Sequence, residues 1–421
     1  MNAELTPLRW PGNWKDASAL ALLNDTPINC LVADKGAVPE SVAAQAKQKG
    51  LTIVDPAAPP AGVFIAKGEW PGVAAEADAA PPPTPAPGGP PPDDSAAAGP
   101  TGNPWVDSNG WKIRLESVRH PGARVWVDAS PKGQVSPDSY TLALADSAAY
   151  GGRWIVSLED GFAADVARGK AEAVASWKKV AAAAKFFDDR KAWSAYTPEA
   201  VVGIISDFTG DNDYMGGELL NLVARTNQQY RVILKNKLTP ASFVNLKAVI
   251  YGDATGPGPA LKSAIMAFVQ AGGLLITHPK WGIAPGMRAS TQDNERYVWR
   301  TSGKGRIAFA KSDFDDPWVI AQESVLLISH RYDLLRFWNG GSVGSYFTMA
   351  PDRKRALVQM LFYADQGPEE AGVRVAGNYR SGKLWTLDGK SSSIEMVPQK
   401  DAVELHLPAV AQYAAAELEA Q

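Results

Sequence analysis

The sequence holds one cysteine, Cys30, and four histidines, His120, His278, His330 and His406. A single thiol excludes an intramolecular disulfide and any zinc cluster built on several cysteines. The histidines fall in different segments with no pair at metal-ligand spacing, so no metal centre is expected, and no cofactor. No run of about 18 apolar residues is present, which argues against a transmembrane helix and a membrane partner. Charge of one sign is also scarce. Lys and Arg number 42 against 45 Asp and Glu, a net charge of -3, so no basic field exists to hold nucleic acid. Met1-Asn2-Ala3-Glu4-Leu5 has neither the basic nor the apolar part of a secretory leader, which points to the cytoplasm. A chain whose leader had been removed would read the same and be periplasmic or secreted, so the location stays open. No Gly-x-Ser-x-Gly elbow, Walker loop or Gly-x-Gly-x-x-Gly before a helix occurs.

What is present is strand–helix alternation. With 421 residues the chain has room for two or three domains. Five short apolar runs begin at Val201, Tyr230, Ala248, Leu274 and Arg306, each short and rich in aliphatic residues, as buried parallel strands are. Helical patterns lie between them at 215–227 and 259–271, the second stopped by Gly272-Gly273. This predicts a doubly wound parallel sheet with Asp207 and Asp253 at adjacent carboxyl ends. The loop from Asp207 to Asp213 holds an Asp-x-Asn-x-Asp-like fragment similar to part of a calcium loop but lacks the closing Glu in register, so no metal is assigned to it.

The first part of the chain predicts a second β/α unit. Strands are expected at 28–34, 51–54, 63–66, 124–127 and 153–157. Helices are expected at 38–49, 109–119, from 136 to about 150, and over about 163–193. Residues 74–103 are dominated by Ala, Pro, Gly and Asp and predict an exposed insertion. Beyond 310 the runs at 325–329, 345–349, 356–363, 373–376, 384–387, 393–397 and 402–407 predict a β-sandwich. The expected fold class is therefore α/β. A partial β/α barrel-like domain spans 1–195, a doubly wound parallel-sheet domain 196–322 and a β-sandwich 323–421.

Acidic residues recur just past the strand ends of the first domain, the face on which β/α barrels place their chemistry. Glu159, Asp128, Glu69 and Asp160 are the candidate catalytic carboxylates, because a facing pair can supply acid and nucleophile or base to a glycosidic bond. Each has a plainer reading as a helix cap or turn residue. Glu159 is the first choice, since it follows an apolar strand; the cap of the next helix is its alternative role. Fourteen tryptophans supply flat apolar faces suited to sugar rings. Trp70, Trp105, Trp111 and Trp126, with Asp107 and Asn109, are the candidate substrate-binding residues. Asp107 or its neighbour Ser108 also suits the cap of the helix at 109.

The order of domains resembles that of family-42 glycoside hydrolases, the bacterial β-galactosidases, whose middle domain is similar to class I glutamine amidotransferases. The resemblance rests on 201–208, on 247–253, on 268–276 and on the strand pattern of 405–413, and covers roughly 124–415. It implies a carbohydrate partner, a flavodoxin- or amidotransferase-like second domain and possible assembly into homo-oligomers. That family carries an Asn-Glu acid/base pair after its fourth barrel strand; here Asn-Glu occurs at Asn294-Glu295, inside the second domain. The amidotransferase nucleophile is missing, because Cys30 lies in the first domain. Two readings follow: a glycoside hydrolase-like protein acting on or binding oligo- or polysaccharide, or a non-catalytic carbohydrate-binding or assembly protein that keeps the architecture.

Overall fold

The structure, a computed structural model, describes residues 4–73, 105–131, 133–293 and 295–421. The expected insertion at 74–103 lies outside the described residues. The first unit contains β1 (Pro7–Arg9), β2 (Cys30–Val32), α1 (Glu40–Gln48), β3 (Thr52–Val54), β4 (Val63–Lys67), β5 (Gly72–Val73) and β6 (Val106–Asp107). It continues with α2 (Gly110–Arg119), β7 (Arg124–Asp128), α3 (Pro137–Ala149), β8 (Arg153–Trp154), α4 (Asp160–Ala167) and α5 (Ala171–Asp189). β3-β2-β1 and β4-β7-β8 are parallel ladders joined by a parallel bridge between Leu8 and Val156. Six strands thus run in the order β3-β2-β1-β8-β7-β4.

The two outer strands of that order, β3 and β4, are consecutive in the chain. Cys30, Val32, Val54, Trp126 and Ile155 form one buried cluster, with Val63 and Ile65 packed against it. Residues from both edges therefore share one core, and the sheet curls on itself. The alternate residues, Leu8, Leu31, Val125, Val127 and Val156, face the helices outside. β1 is absent from the sequence expectations because three residues with one leucine give no pattern. The single helix expected at 163–193 is two helices, α4 and α5. Gly169, at φ +72, sits between them in the left-handed region that ends helices.

A short strand, β9 (Thr197–Pro198), precedes the second unit. That unit holds β10 (Val202–Ser206), α6 (Asp213–Arg225), β11 (Tyr230–Leu234), β12 (Ala248–Tyr251), α7 (Pro259–Gln270), β13 (Leu274–Thr277), β14 (Arg288–Asp293), β15 (Tyr297–Ser302) and β16 (Gly305–Ala310). The sheet order is β11-β10-β12-β13-β16-β15-β14; the first five are parallel, and β15 and β14 are added through antiparallel pairing. Ile204, Val232, Ile250 and Ile276 pack on the α6 side, and Ile205, Val249, Leu275 and Ile307 on the α7 side. Leu115 of α2 enters the α6-side core, which ties the first unit to the second. β10 lies between β11 and β12, so the chain changes direction there. The loops after β10 and β12 meet: Lys235 Nζ bonds Asp207 Oδ2 at 2.6 Å and Asp253 Oδ2 at 2.8 Å. Asp207 and Asp253 thus sit at adjacent carboxyl ends, as the alternation predicts.

The remaining elements are α8 (Pro317–Ile328), β17 (Leu335–Trp338), β18 (Val343–Met349), β19 (Arg355–Phe362), β20 (Ala371–Ala376), β21 (Tyr379–Thr386), β22 (Ser391–Ser393), β23 (Glu395–Gln399), β24 (Ala402–Leu407) and β25 (Gln412–Ala420). A four-stranded sheet, β17-β20-β24-β23, shares a core with a six-stranded one, β22-β21-β25-β19-β18-β9. The strand expected at 325–329 is instead the end of α8, which Asp316 caps and Pro317 opens. Its residues Ile320, Ala321, Leu327 and Ile328 pack with the second unit's core. The other face of the six-stranded sheet, including Tyr346, Leu361 and Tyr363, joins the first unit's core. Among the described residues no helix is long and apolar enough to cross a membrane.

Candidate functional site

The carboxyl ends of the six curled strands hold the expected acids, and two of the four, Asp128 and Glu159, have side-chain partners. Asp128 ends β7 and pairs with Arg9 of β1 at 2.6 Å. Arg9 Nε and Asp128 Oδ1 find no further partner among the described residues. Glu159 is the N-cap of α4. Its Oε1 accepts from Gly161 N and its Oε2 from Phe162 N, both at 2.8 Å, so the two oxygens satisfy two orphan helix donors. Asp160, exposed in the first turn of α4, places negative charge at the positive end of the helix dipole. Capping is thus what the Glu159 side chain does in the structure, and Asp160 adds charge at the same helix end. Trp126 is 1% exposed inside the curled sheet. It offers no face to a sugar, which corrects its assignment as a binding residue.

Glu69 stands differently. Gly68 N bonds to Asp128 O at 2.9 Å, extending the pairing of β4 with β7. Beyond it the partner of the chain is a side chain. Asn109 Oδ1 accepts from Glu69 N at 2.9 Å, and Asn109 Nδ2 donates to Glu69 O at 2.8 Å. Asn109 is 1% exposed, so it holds the loop and cannot touch a ligand, a second correction. Asp146 Oδ2 accepts from Asn109 N at 2.9 Å and from Nδ2 at 3.0 Å, and Tyr363 Oη donates to Oδ1 at 2.8 Å. Burial pushes the Asp146 carboxyl above its ordinary value, against the Asn109 and Tyr363 hydrogen bonds that favour its ionised form. Trp70 follows. Its Nε1 donates to Ser130 O at 3.0 Å and its half-buried ring meets Tyr140 and Trp154 edge to face.

The segment from 105 to 112, which holds β6 and the start of α2, carries Glu69's neighbours toward α6. Trp105 Nε1 donates to Asp107 Oδ1 at 3.2 Å, and the Arg225 guanidinium lies 5.7 Å from the Trp105 ring centre. Trp111 covers Gly217, where an added Cβ would sit 3.4 Å from the indole. Tyr214, Glu218, Asn221 and Arg225 are spaced by four, three and four residues, so they form one stripe along α6. Tyr214 is 73% exposed, and Arg225 Nη2 bonds Asn221 Oδ1 at 2.9 Å. Burial raises the Glu218 carboxyl; Asn221 and Arg225 counter this, and the charge of Glu69 adds to the rise. The sequence reading missed Tyr214, Glu218 and Arg225. Helical periodicity shows the stripe, because Leu219, Leu220, Leu222 and Val223 claim the other side, but it does not show what lies opposite. Glu69, Trp105, Asp107 and Trp111 are therefore gathered with the stripe. Asp128 and Glu159 belong to ion-pair and cap arrangements of their own.

In the second unit, the Asp207–Lys235–Asp253 network is closed on itself, and Asn212 joins it through Asp207 Oδ1 at 2.9 Å. Among the described residues no group of three or more His, Cys, Asp or Glu is placed to hold a metal ion.

No protein-family model matches this chain, and no curated protein sequence does. Solved structures do. α-L-fucosidase isoenzyme 2 from Paenibacillus thiaminolyticus is similar at 13% identity and a TM-score of 0.53, over 77% of this chain and 64% of that one. A catalytic mutant of a β-galactosidase from G. stearothermophilus aligns at 11% identity and 0.46, over 76% and 62%. A β-galactosidase from Bacillus circulans sp. alkalophilus aligns at 11% and 0.45, over 73% and 61%. This chain spans less than two thirds of each of these proteins. At such identities the likeness concerns the fold alone, a mixed α/β architecture similar to that of the fucosidase.

Proposed function

We propose that this protein recognises an oligo- or polysaccharide where the 69–70 loop and the 105–112 segment meet α6, on a glycoside hydrolase-like architecture whose curled β/α sheet has six strands among the described residues. The observation that carries this reading is the gathering of Trp105 and Trp111 with Glu69, Asp107, Glu218 and Arg225, with the exposed Tyr214 four residues before Glu218 on the same side of α6. Aromatic faces cover the apolar side of a sugar ring, and carboxylates and guanidinium groups take its hydroxyls. Binding rather than turnover is the reading favoured, because Glu159 and Asp128 have fold partners for their carboxylates. Hydrolysis is the second reading, and Glu218 favours it. A carboxyl held above its usual range beside a second carboxylate has the makings of a general acid.

The test is calorimetric titration of the whole chain with a panel of oligosaccharides, alongside assays on aryl glycosides. Binding of at least one glycan is expected, weakened about tenfold by Trp111→Ala, a loss of about 1.4 kcal/mol. Turnover abolished by both Glu69→Gln and Glu218→Gln would replace the binding reading with the hydrolytic one. No binding and no turnover across the panel would overturn both.

A further inference from the structure

We infer that Asn109, Asp146 and Tyr363 are positioning residues for the glycan site, so that the C-terminal β-sandwich governs the loop bearing Glu69 and Trp70. This rests on the reading above.

A chain leaving a strand end loses the partners of its peptide groups. At Glu69 the amide of Asn109 replaces a neighbouring peptide, with one acceptor for the N–H and one donor for the C=O. The amide orientation is fixed by its surroundings. Reversed, it would set its oxygen against Glu69 O and Asp146 Oδ2, and its NH2 against Glu69 N–H. Gly68 makes the approach possible, since a Cβ there would lie 2.1 Å from Val127 Cγ1 and 2.7 Å from Asn109 Oδ1. The clamp joins residues 40 apart in sequence, so it closes the base of the whole excursion between β4 and α2. Closing such a loop costs entropy, and the two amide bonds with the β5–β6 ribbon offset it.

Asn109 is in turn held from the far side. Asp146 is 0% exposed, so no solvent water takes over when a partner is removed. One of its oxygens serves Asn109 and the other serves Tyr363, which directly follows β19 in the sandwich. Gly344 of β18 leaves the space Tyr363 needs, because a Cβ there would sit 3.1 Å from the Tyr363 hydroxyl. A continuous chain of hydrogen bonds therefore runs from the third unit through α3 to the peptide of Glu69. None of the three residues touches a ligand in this arrangement. Their effect on binding passes through the position of Glu69 and Trp70.

Tyr363→Phe in the full chain is the gentle test, since it removes one hydroxyl and keeps the ring. The expected result is a melting temperature within a few degrees of wild type. Amide exchange over 68–73 should rise about tenfold, exchange in β10–β13 should not change, and affinity for the glycan found above should fall about fivefold. Asn109→Ala should show the same pattern more strongly; if it fails to fold, Tyr363→Phe decides alone. Unchanged exchange over 68–73 in Tyr363→Phe overturns the inference. Faster exchange with unchanged glycan affinity also overturns it, leaving a merely structural clamp. Wild-type protein that binds no glycan overturns the functional reading and this inference together, whereas intact binding indifferent to Tyr363→Phe overturns the inference alone.

Discussion

Two sets of carboxylates near the first unit's strand ends have the same chemistry and different surroundings. Asp128 and Glu159 have partners supplied by the sheet and the next helix: Arg9 for one, two backbone N–H groups for the other. Glu69 and Glu218 come from different units: the peptide of Glu69 is fixed while its side chain is exposed, and Glu218 is partly buried with Asn221 alone, among the described residues, bonding its carboxyl. A carboxylate already satisfied by backbone donors must give them up to bind anything else. One whose backbone alone is pinned keeps its oxygens for a ligand at little ordering cost. The residue type after a strand therefore says less about function than whether the fold has already used its oxygens.

The largest effect expected comes from breaking the support beneath Glu69. Asp146→Ala strands three buried donors, Asn109 N, Asn109 Nδ2 and Tyr363 Oη, each of which costs about 1–3 kcal/mol when unsatisfied. Loss of the buried carboxylate's own desolvation cost offsets part of this. We expect a net destabilisation of about 3 kcal/mol, read from urea unfolding. A loss below about 1 kcal/mol would show that Asp146 contributes no more than an ordinary surface group.

A smaller effect sharpens the comparison between the two sets. Glu159→Gln keeps the shape of the α4 cap but loses its charge and one of its two acceptors, and should cost about 1 kcal/mol of stability with glycan affinity unchanged. Glu218→Gln should behave in the opposite sense, with stability close to wild type and glycan affinity reduced several-fold. If Glu159→Gln is the one that weakens binding, the division between committed and available carboxylates fails.

That division was only half legible in the sequence. The second unit's strands could be read because each is a run of apolar residues buried on both faces, which also placed Asp207 beside Asp253. The first unit was harder. β1 and β8 have three and two residues, and their sheets are joined through the single Leu8–Val156 bridge, which no periodicity reveals. The end of α8 passed for a strand because Val325-Leu326-Leu327-Ile328 has the same composition as one. In the site, Glu69 stands out as an acid past a strand end, and Trp105, Asp107 and Trp111 as aromatic and acidic residues close together in sequence. Asn109 was misjudged because its partners lie 40 and 37 residues away, and Trp126 because a curled sheet has an inside. Glu218 escaped because its relation to Glu69 exists only once two units pack together.

The smallest effect concerns pH and separates the first unit from the second. His278 is 2% exposed, its Nε2 donates to Asp253 O at 2.9 Å, and its Nδ1 faces Asp313 Oδ1 at 3.5 Å. Burial pushes the imidazole below its ordinary value of about 6.5; Asp313 and the Asp253 carbonyl oppose this, and the Lys280 ammonium adds to it. The folded state therefore binds fewer protons than the unfolded state as the pH drops below about 6.5. The stability this group contributes is present above that pH and is lost as the pH falls through the folded value. Asp146 has the opposite sign. Its raised carboxyl binds protons more readily when folded, so its contribution is complete below the unfolded value of about 3.9 and is lost as the pH rises through the folded one. Urea unfolding between pH 7.5 and 5 should thus show wild type losing stability relative to His278→Asn as the pH falls. Parallel curves for the two proteins would mean that the imidazole is charged equally in both states and that Asp313 and the Asp253 carbonyl balance burial.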